Sequence, residues 1–306
     1  MTAALRVLKP GLLTTVQDLG RPHAISSGVS PGGAMDRFAH SAANLLVGND
    51  RGAATLECTL RGPRLVAERP VLVAVAGADL ELRLDGTEAP AWTAMAVREG
   101  QELSLGTRRA GARAYLAVAG GVVAERWLGS MSTNLLVGRG GVHGRPLVAG
   151  DVIEAEEPND PAPEGRTLPE RLRPAYSDHT LNAAPGPHAD RAIFGRTFQV
   201  SPDSNRMGYR LTGHTLDANA AEILSFAVIA GAVQLPSGGR PILLMADHQT
   251  AGGYPVVAVV VSASMPIAAQ LAPGDELVFV ETSMERALAM RAAQREALES
   301  LTSWSM

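Results

Sequence analysis

The sequence predicts a mainly β fold with few helices, and three observations support this prediction. The chain of 306 residues contains 32 glycines and 20 prolines, which are the residues that separate short strands. Short runs of Val, Leu and Ala recur between these turn signals. Only two stretches carry the spacing and the end signals of a helix. The hydrophobic fraction of 46% is sufficient for a full core, so the chain is not globally disordered.

Nine apolar runs bounded by turn residues are predicted as strands. They are Val71–Ala76, Leu80–Leu84, Leu103–Leu105, Tyr115–Val118, Val152–Glu154, Phe198–Val200, Ile242–Met245, Val256–Val261 and Leu277–Val280. Between two of them, Asp85-Gly86 is typical of a hairpin turn. One helix is predicted over Arg37–Val47, with Asp36 as its N-cap. A second is predicted over Ser283–Ser300, with Thr282 or Ser283 at its start.

The chain is predicted to form two domains. The segment from Glu156 to Pro174 carries five prolines and many charges, which is typical of a linker. We therefore expect an N-terminal β domain over 1–157, a linker over 158–175 and a C-terminal β domain with a terminal helix over 176–306. A Gly-Asp turn followed by a strand ends both halves, at 149–153 and 273–277, and this indicates an internal duplication.

Composition and charge exclude several classes of protein. The net charge is −4 and no basic block is present, so we expect no nucleic-acid partner. The one cysteine, Cys58, cannot form an internal disulfide and fits a reducing compartment. The longest apolar stretch, Ile223–Leu235, is too short to span a bilayer. These features predict a cytoplasmic protein with no membrane partner.

A single lysine, Lys9, limits the chemistry of this chain. A P-loop requires Gly-Lys-Ser/Thr, a biotin carrier requires a lysine to modify, and the amidase-signature triad requires a lysine beside two serines. None of these motifs is present. The seven histidines show neither HxH nor HExxH spacing, so no metal site is expected.

The stretch 245–255, MADHQTAGGYP, places polar chemistry between two predicted strands. It supplies a carboxylate, an imidazole, an amide, a hydroxyl and a phenol, and its paired glycines allow a ligand to approach the backbone closely. Such a cluster at the end of strands favours a binding site. The alternative is a polar turn without a ligand.

Two further segments offer groups that bind anions. Ser204–Arg210 contains two guanidiniums around a glycine, and arginine binds carboxylate or phosphate in two-point geometry. Either Arg206 or Arg210 is predicted to hold an anionic group, unless both are solvated arginines of a surface turn. In the first half, the amides of 32–36 precede a helix and suit an anion. There, Asp18 and Arg21 are alternatively an internal ion pair, and Asp36 a helix cap.

The stretch 245–255 resembles the MADxQTxGGYP signature of the family of 5-oxoprolinase C subunits, also called allophanate hydrolase subunit 2, KipA-like or the biotin-dependent carboxyltransferase domain family. Four other segments agree with family motifs in the same order. They are Gly11–Arg21, Gly28–Asp36, Pro202–Leu211 and Ala232–Pro236. Together the five segments extend over most of the chain.

The resemblance implies two cyclophilin-like β-barrels facing each other across a cleft. It also implies an ATP-dependent cyclic amide hydrolase, active only as a complex, that opens 5-oxoproline to glutamate. The implied partners are a subunit-B-type, kinase-inhibitor-like protein in a hetero-oligomer and a LamB/YcsF-type subunit, with ATP bound by the complex. Two alternatives remain: carboxyl transfer to a urea- or allophanate-type substrate with biotin on another protein, and a regulatory partner of a kinase inhibitor.

The resemblance also implies roles for individual residues. Asp247 would act as a base or orient the amide nitrogen, Gln249 and Thr250 would bind the amide, and Tyr209 and Tyr254 would close the pocket. The implied catalytic residues are Asp247, Gln249, Thr250 and Tyr254. The implied substrate-binding residues are Asn205, Arg206, Tyr209, Arg210, Gln234, Gly252, Gly253, Gln17, Asp18, Arg21, Gly33 and Asp36. Three residues depart from the family pattern, which has Arg, Lys and Asp at these positions: Met131, Val256 and Ser264.

Overall fold

A computed structural model describes residues 2–158, 162–217 and 223–302, and it confirms the mainly β fold with few helices. The strands of the first half are β1 Thr2–Lys9, β2 Leu13–Gln17, β3 Thr55–Thr59, β4 Arg64–Ala67, β5 Val71–Asp79, β6 Arg83–Leu84, β7 Thr87–Glu88, β8 Ala94–Val97, β9 Glu102–Ser104, β10 Ala110–Val118, β11 Val122–Val123 and β12 Val152–Ala155. Those of the second half are β13 Thr180–Pro185, β14 Thr197–Val200, β15 Gly208–Thr212, β16 Phe226–Ala227, β17 Ala232–Gln234, β18 Ile242–Leu244, β19 Ala251–Gly252, β20 Val256–Val260 and β21 Glu276–Glu281.

The α-helices are α1 Arg37–Leu46, α2 Met265–Ala269 and α3 Met284–Glu299, and short 3₁₀ turns cover Pro22–Ser27, Glu170–Leu172 and Arg191–Ile193. Both predicted helices are confirmed. Asp36 caps α1 because its Oδ1 accepts the Ala39 N–H at 2.9 Å, and Ser283 Oγ accepts the Arg286 N–H at 3.2 Å. Over the residues that the structure describes, no helix is both long and apolar enough to cross a membrane.

The chain divides into two compact units. The first contains residues 2–20, 36–158, 162–173 and 295–302, and the second contains residues 21–35, 174–217 and 223–294. The segment 21–35 therefore belongs to the same unit as the C-terminal strands. Residues 162–173 pack on the first unit, where Leu168 is buried and the Arg173 guanidinium lies 5.1 Å from the Trp92 ring centroid. The domain boundary predicted at 158–175 stays a prediction.

In the first unit, the strands form two sheets around one apolar core. One sheet has the order β11-β12-β1-β4-β9-β6-β7, and the other has the order β2-β3-β10-β5-β8. Leu5, Leu56, Leu103 and Leu116 are among the fully buried side chains of the core. Cys58 lies there too, and burial raises the pKa of its thiol to about 12, which fits a core residue and not a nucleophile.

In the second unit, seven strands close into a barrel in the order β13-β20-β17-β18-β15-β14-β21. Only β13 and β21 are paired in parallel, and the other neighbours are antiparallel. Phe198, Tyr209 and Phe279 fill the interior. The short strands β16 and β19 pair with each other in a separate two-stranded sheet, which brings residues 251–252 beside residues 226–227.

The two Gly-Asp turns have the same hydrogen bonds, which supports the predicted duplication. In the first unit, Gly150 N–H donates to Val7 O and Val7 N–H donates to Asp151 O. In the second, Gly274 N–H donates to Val200 O and Val200 N–H donates to Asp275 O. Each aspartate also accepts, at 2.8 and 2.9 Å, the N–H of the residue three positions before it.

One predicted strand is corrected. Leu80–Leu84 was expected to be extended throughout, but only Arg83–Leu84 forms a strand. The cause is Glu81, which has φ = 51° in the left-handed region and donates its N–H to Asp79 Oδ1 at 3.0 Å. This local turn interrupts the ladder. The hairpin at Asp85-Gly86 is confirmed between β6 and β7, with positive φ at both residues.

Candidate functional site

The centre of the candidate site is an ion pair between Arg206 and Asp247 in the second unit. Arg206 precedes β15 and Asp247 follows β18, and the pairing of these strands continues beyond them because Asp247 N–H donates to Arg206 O at 2.9 Å. This rung places the two side chains opposite each other. Arg206 Nε lies 2.8 Å from Asp247 Oδ2, and Nη2 lies 3.1 Å from Oδ1. Their side chains are only 7% and 17% exposed, so the pair is largely shielded from water.

Two glycines form one wall of this site. Arg206 Nη2 donates to Gly33 O at 2.6 Å, and Gly32 N–H donates to Ala246 O at 3.1 Å. Both glycines have positive φ, 61° and 92°, which a residue with a side chain adopts at a cost. A Cβ at Gly32 would lie 3.0 Å from Arg21 Nη1 and 3.6 Å from Asp247 Oδ1. The buried Arg21 and the partly buried Asp247 therefore both approach this loop.

A pair of glutamines lies on the same unit. Gln249 Nε2 donates to Gln234 Oε1 at 3.0 Å, and the Gln234 side chain is buried. Gln234 ends β17, and Gln249 is in the loop after β18. A Cβ at Gly252 would lie 2.5 Å from Gln234 Nε2, so only glycine allows this amide to approach the backbone. The sequence predicted all three residues as site residues, and the structure brings them together.

His248 is a site residue that the sequence reasoning did not select. Its Nδ1 lies 2.6 Å from the Gln249 carbonyl oxygen. A carbonyl only accepts hydrogen bonds, so Nδ1 carries the proton, and in the neutral ring Nε2 is the acceptor. Burial lowers the pKa of this imidazole, which favours the neutral form. The sequence signal that could have selected His248 was its position between Asp247 and Gln249.

Three predicted residues of the 204–210 segment have different surroundings. The role predicted for Tyr209 is corrected: its side chain lies in the barrel core and its hydroxyl donates to Leu271 O at 3.4 Å. Alternate residues of a strand face opposite sides, so Arg210 points out of the barrel. It lines an open concavity of about 620 Å³ together with Arg240. Asn205 is exposed and its Oδ1 accepts the Met207 N–H in a tight turn.

The rest of the 250–254 segment is more open. Thr250 is partly buried, and its carbonyl accepts the Val228 N–H. Gly253 is exposed, and a Cβ there would lie 3.4 Å from Ile223 O. Tyr254 is 48% exposed, so its phenol is accessible to a ligand.

In the first unit, Asp18 is held by the segment 130–132. Its carboxylate accepts the hydroxyls of Ser130 and Ser132, both at 2.6 Å, and the N–H of Met131 at 2.7 Å. Gly20 N–H donates to it as well. Ser130 and Ser132 thus position Asp18, and the departure at Met131 leaves the backbone contact in place. The neighbouring Gln17 is fully buried, and its Nε2 donates to Thr15 Oγ1 and Thr133 O.

Asp36 has the structural role that the sequence left open as an alternative. It caps α1, and its N–H donates to the Tyr115 hydroxyl at 2.7 Å. That hydroxyl donates to Glu57 Oε2 at 2.8 Å. Burial raises the pKa of Tyr115 well above its ordinary value, so the phenol stays protonated. No local sequence pattern predicted this buried network.

The comparisons with known proteins agree with the predicted resemblance. Residues 27–281 match the family described as carboxyltransferase domain, subdomain A and B. The chain is 40% identical over 307 residues to the C subunit of Escherichia coli 5-oxoprolinase, covering 97% of each. It is 32% identical to urea amidolyase of Saccharomyces cerevisiae, covering 97% of this chain and 18% of that protein.

A crystal structure of the K. lactis urea amidolyase superposes with a TM-score of 0.90 at 30% identity, covering 98% of this chain. The chain spans 20% of the length of that structure, so it corresponds to one part of the urea amidolyase. The family match covers most of the sequence, and the similarity to the 5-oxoprolinase C subunit extends over 97% of this chain. On these grounds the chain belongs to the carboxyltransferase domain family with subdomains A and B.

Proposed function

We propose that this chain is one subunit of a cytoplasmic, ATP-dependent amide-processing complex that opens 5-oxoproline to glutamate. The observation that carries the proposal is its 40% identity to the C subunit of a 5-oxoprolinase over 97% of both chains. This identity is higher than the 32% identity to urea amidolyase of Saccharomyces cerevisiae, which favours the 5-oxoprolinase role. The proposed partner is a subunit-B-type protein, with a LamB/YcsF-type subunit as a further component.

The proposed task of this chain is to bind and orient the amide. An unactivated lactam resists hydrolysis because its nitrogen lone pair is delocalised into the carbonyl, and ATP supplies the activation. The sequence contains no Gly-Lys-Ser/Thr loop. We therefore assign ATP binding to the complex and not to a nucleotide site on this chain. Positioned polar groups lower the barrier by fixing the geometry and stabilising charge.

Asp247 is proposed to orient the amide nitrogen. The guanidinium of Arg206 fixes the carboxylate through two hydrogen bonds. A carboxylate has about four acceptor positions, so it can accept an amide N–H in addition to the two arginine donors. The neutral imidazole of His248 is the proposed proton acceptor, and Thr250 and Tyr254 are proposed to complete the polar lining. Arg206, predicted as a substrate anchor, is thereby assigned to positioning Asp247.

Arg210 is the proposed anchor for the substrate carboxylate. It is exposed, and together with Arg240 it lines the open concavity on the outside of the barrel. Arginine binds a carboxylate through a planar fork of donors. We expect Arg210→Ala to raise KM for an anionic substrate about tenfold or more, with little change in stability.

Carboxyl transfer is the second candidate function. The observation that favours it is the TM-score of 0.90 to the K. lactis urea amidolyase. In that case biotin would arrive on another protein, because this chain lacks a lysine in a biotinylation motif. The same amide-binding groups would then meet the ureido ring, which also presents C=O and N–H groups.

Coexpression tests the two candidates. The chain is coexpressed with its subunit-B-type partner, and the mixture is separated by size-exclusion chromatography and assayed for ATP-dependent loss of 5-oxoproline. We expect one joint peak, an interface burying roughly 2,000 Å² or more, and turnover only by the complex. Full activity of the isolated chain, or two separate peaks, would contradict the proposal. Carboxylation of urea in the presence of a biotinylated carrier, without loss of 5-oxoproline, would favour the second candidate.

A further inference from the structure

The glutamine pair has a defined set of unused hydrogen-bonding groups. The Oε1 of Gln234 is taken by Gln249 Nε2 at 3.0 Å. The Nε2 of Gln234 is buried and has no hydrogen-bond partner within 2–158, 162–217 and 223–302. Within the same described ranges, Gln249 uses its Nε2 in this pair, and its Oε1 remains available as an acceptor. The pair therefore presents a donor from one side chain and an acceptor from the other.

The pair is held in place by the barrel wall. Gln234 is the last residue of β17 and pairs with Ile242 of β18 and Val256 of β20, so its backbone is fixed on both sides. Its side chain is only 1% exposed. Gly252 lies against both amides, since a Cβ there would be 2.5 Å from Gln234 Nε2 and 3.5 Å from Gln249 Nε2. The donor therefore has little freedom to turn towards water.

A buried amide donor without a partner is unfavourable, and folded proteins contain few of them. A leucine or methionine would fill the same volume without this cost. The retained polar group points to a ligand that supplies an acceptor when it binds. Because the adjacent group is an acceptor, the complementary ligand edge carries an acceptor and a donor side by side.

We propose that Gln234 and Gln249 recognise the cis-amide edge of the substrate, in which C=O and N–H point to the same side. Gln234 Nε2 donates to the ligand carbonyl, and Gln249 Oε1 accepts the ligand N–H. Lactams and cyclic ureas present this edge, whereas open-chain trans amides, lactones and N-alkylated lactams do not. This inference rests on the proposed amide substrate and specifies how its class is selected.

The ligand series tests the inference without any mutation. Binding of 2-pyrrolidinone, N-methyl-2-pyrrolidinone and γ-butyrolactone to the full chain is measured by ligand-observed NMR titration. The methylated lactam and the lactone keep the carbonyl but lose the N–H, so we expect both to bind about tenfold more weakly than 2-pyrrolidinone. Equal affinity of the three compounds, or no detectable binding of 2-pyrrolidinone, would overturn the inference.

A variant tests the same contact from the protein side. Gln234→Glu keeps the shape and the acceptor for Gln249 but replaces the free donor with an acceptor. We expect it to bind 2-pyrrolidinone at least tenfold more weakly. Gln199→Glu is the matched control, since it adds the same charge at an exposed position of the same unit. Melting temperatures of both variants show whether the barrel is intact, and unchanged binding by Gln234→Glu would refute the assignment.

The failures of the two proposals are distinguishable. If the complex turns over 5-oxoproline but Gln234→Glu leaves KM unchanged, the function stands and the inference falls. If the binding series has the expected order but no complex shows turnover, the recognition of a cis-amide edge stands and the assigned reaction falls.

Discussion

Arg206 and Asp247 form a two-point ion pair, Nε to Oδ2 at 2.8 Å and Nη2 to Oδ1 at 3.1 Å, at the end of the β15–β18 ladder. Arg206 was predicted as an anchor for an anionic group and Asp247 as a catalytic residue, and the structure pairs the two side chains with each other. The charges of this pair therefore balance each other before any ligand binds. Arg206 fixes the orientation of Asp247. The remaining acceptor positions of the carboxylate are available for hydrogen bonds from a substrate.

Replacing one member of this pair will destabilise the chain. Asp247→Asn leaves a largely buried guanidinium without its counter-charge, which we expect to lower the free energy of unfolding by about 3 kcal/mol. Urea denaturation measures this change. The matched control is Glu102→Gln, which breaks a pair of the same two-point geometry between Arg64 and Glu102 at an exposed position. We expect a much smaller loss there, because water screens the pair. Equal losses at the two positions would contradict a buried role for Asp247.

The glycine wall can be tested with two substitutions that share the same backbone strain. Gly32→Ala places a Cβ 3.0 Å from Arg21 Nη1, in addition to the cost of a left-handed backbone, about 1–2 kcal/mol. Gly28→Ala carries the strain alone, since nothing lies within 4 Å of its Cβ. We expect Gly32→Ala to be the more destabilising of the two by thermal unfolding, and to reduce turnover of the complex. The prediction fails if the two variants unfold at the same temperature and retain the same activity.

The segment 130–132 is predicted to stabilise the first unit through Asp18. Ser132→Ala removes a hydroxyl donor to a carboxylate, which we expect to cost about 1.5–3 kcal/mol in urea denaturation. Met131→Ala is the control, because Met131 contributes its backbone N–H. The loss in the free energy of unfolding should be clearly smaller for Met131→Ala than for Ser132→Ala. A larger loss for Met131→Ala would show that the thioether, and not the hydrogen bonds to Asp18, stabilises the segment.

His40 is predicted to make the stability of the first unit depend on pH. Burial lowers the pKa of this imidazole from 6.5 to about 4. The unfolded chain therefore binds more protons between these values, so the contribution to stability is complete above pH 6.5 and is lost as the pH falls towards 4. The full effect is about 3 kcal/mol. We expect His40→Gln to flatten the dependence of the unfolding temperature on pH between 4 and 6.5. A variant with the slope of the wild type would contradict this.

The hydrogen bonds of His40 support the neutral ring. Its Nδ1 lies 2.9 Å from Thr55 Oγ1, and its Nε2 lies 3.5 Å from Asn44 Nδ2. The amide nitrogen of asparagine only donates, so Nε2 accepts and Nδ1 carries the proton. Protonation of Nε2 would set two donors against each other in a buried position.

The sequence predicted the elements whose signals are local. Asp36 and Ser283 mark the two long helices because an N-cap acts within one turn, and Asp85-Gly86 marks a hairpin for the same reason. Among the strands that were missed, β15 and β17 contain only five and three residues, and β1 has register shifts that break its alternation. The polar clusters were found because their residues are adjacent in sequence, whereas the contact between Asp18 and Ser132 joins positions 114 residues apart.

The sequence analysis predicted which residues belong to the candidate site, but not which of them contact each other. The stretch 245–255 supplied Asp247, Gln249 and Gly252 as candidates, and the structure places Gln249 beside Gly252. No sequence rule showed that Arg206 would bind Asp247, or that Tyr209 would face the core, since both depend on strand register. A shift of one residue would have exchanged the faces of Tyr209 and Arg210.

The membership of residues 21–35 in the second unit has a practical consequence for anyone who wishes to express the halves separately. A fragment that starts after the proline-rich segment would lack Gly32 and Gly33, which bond to Ala246 and Arg206. The complementary N-terminal piece would carry that segment without the strands it packs on. Neither fragment would be self-sufficient, and complementation would succeed only if the pieces were refolded together.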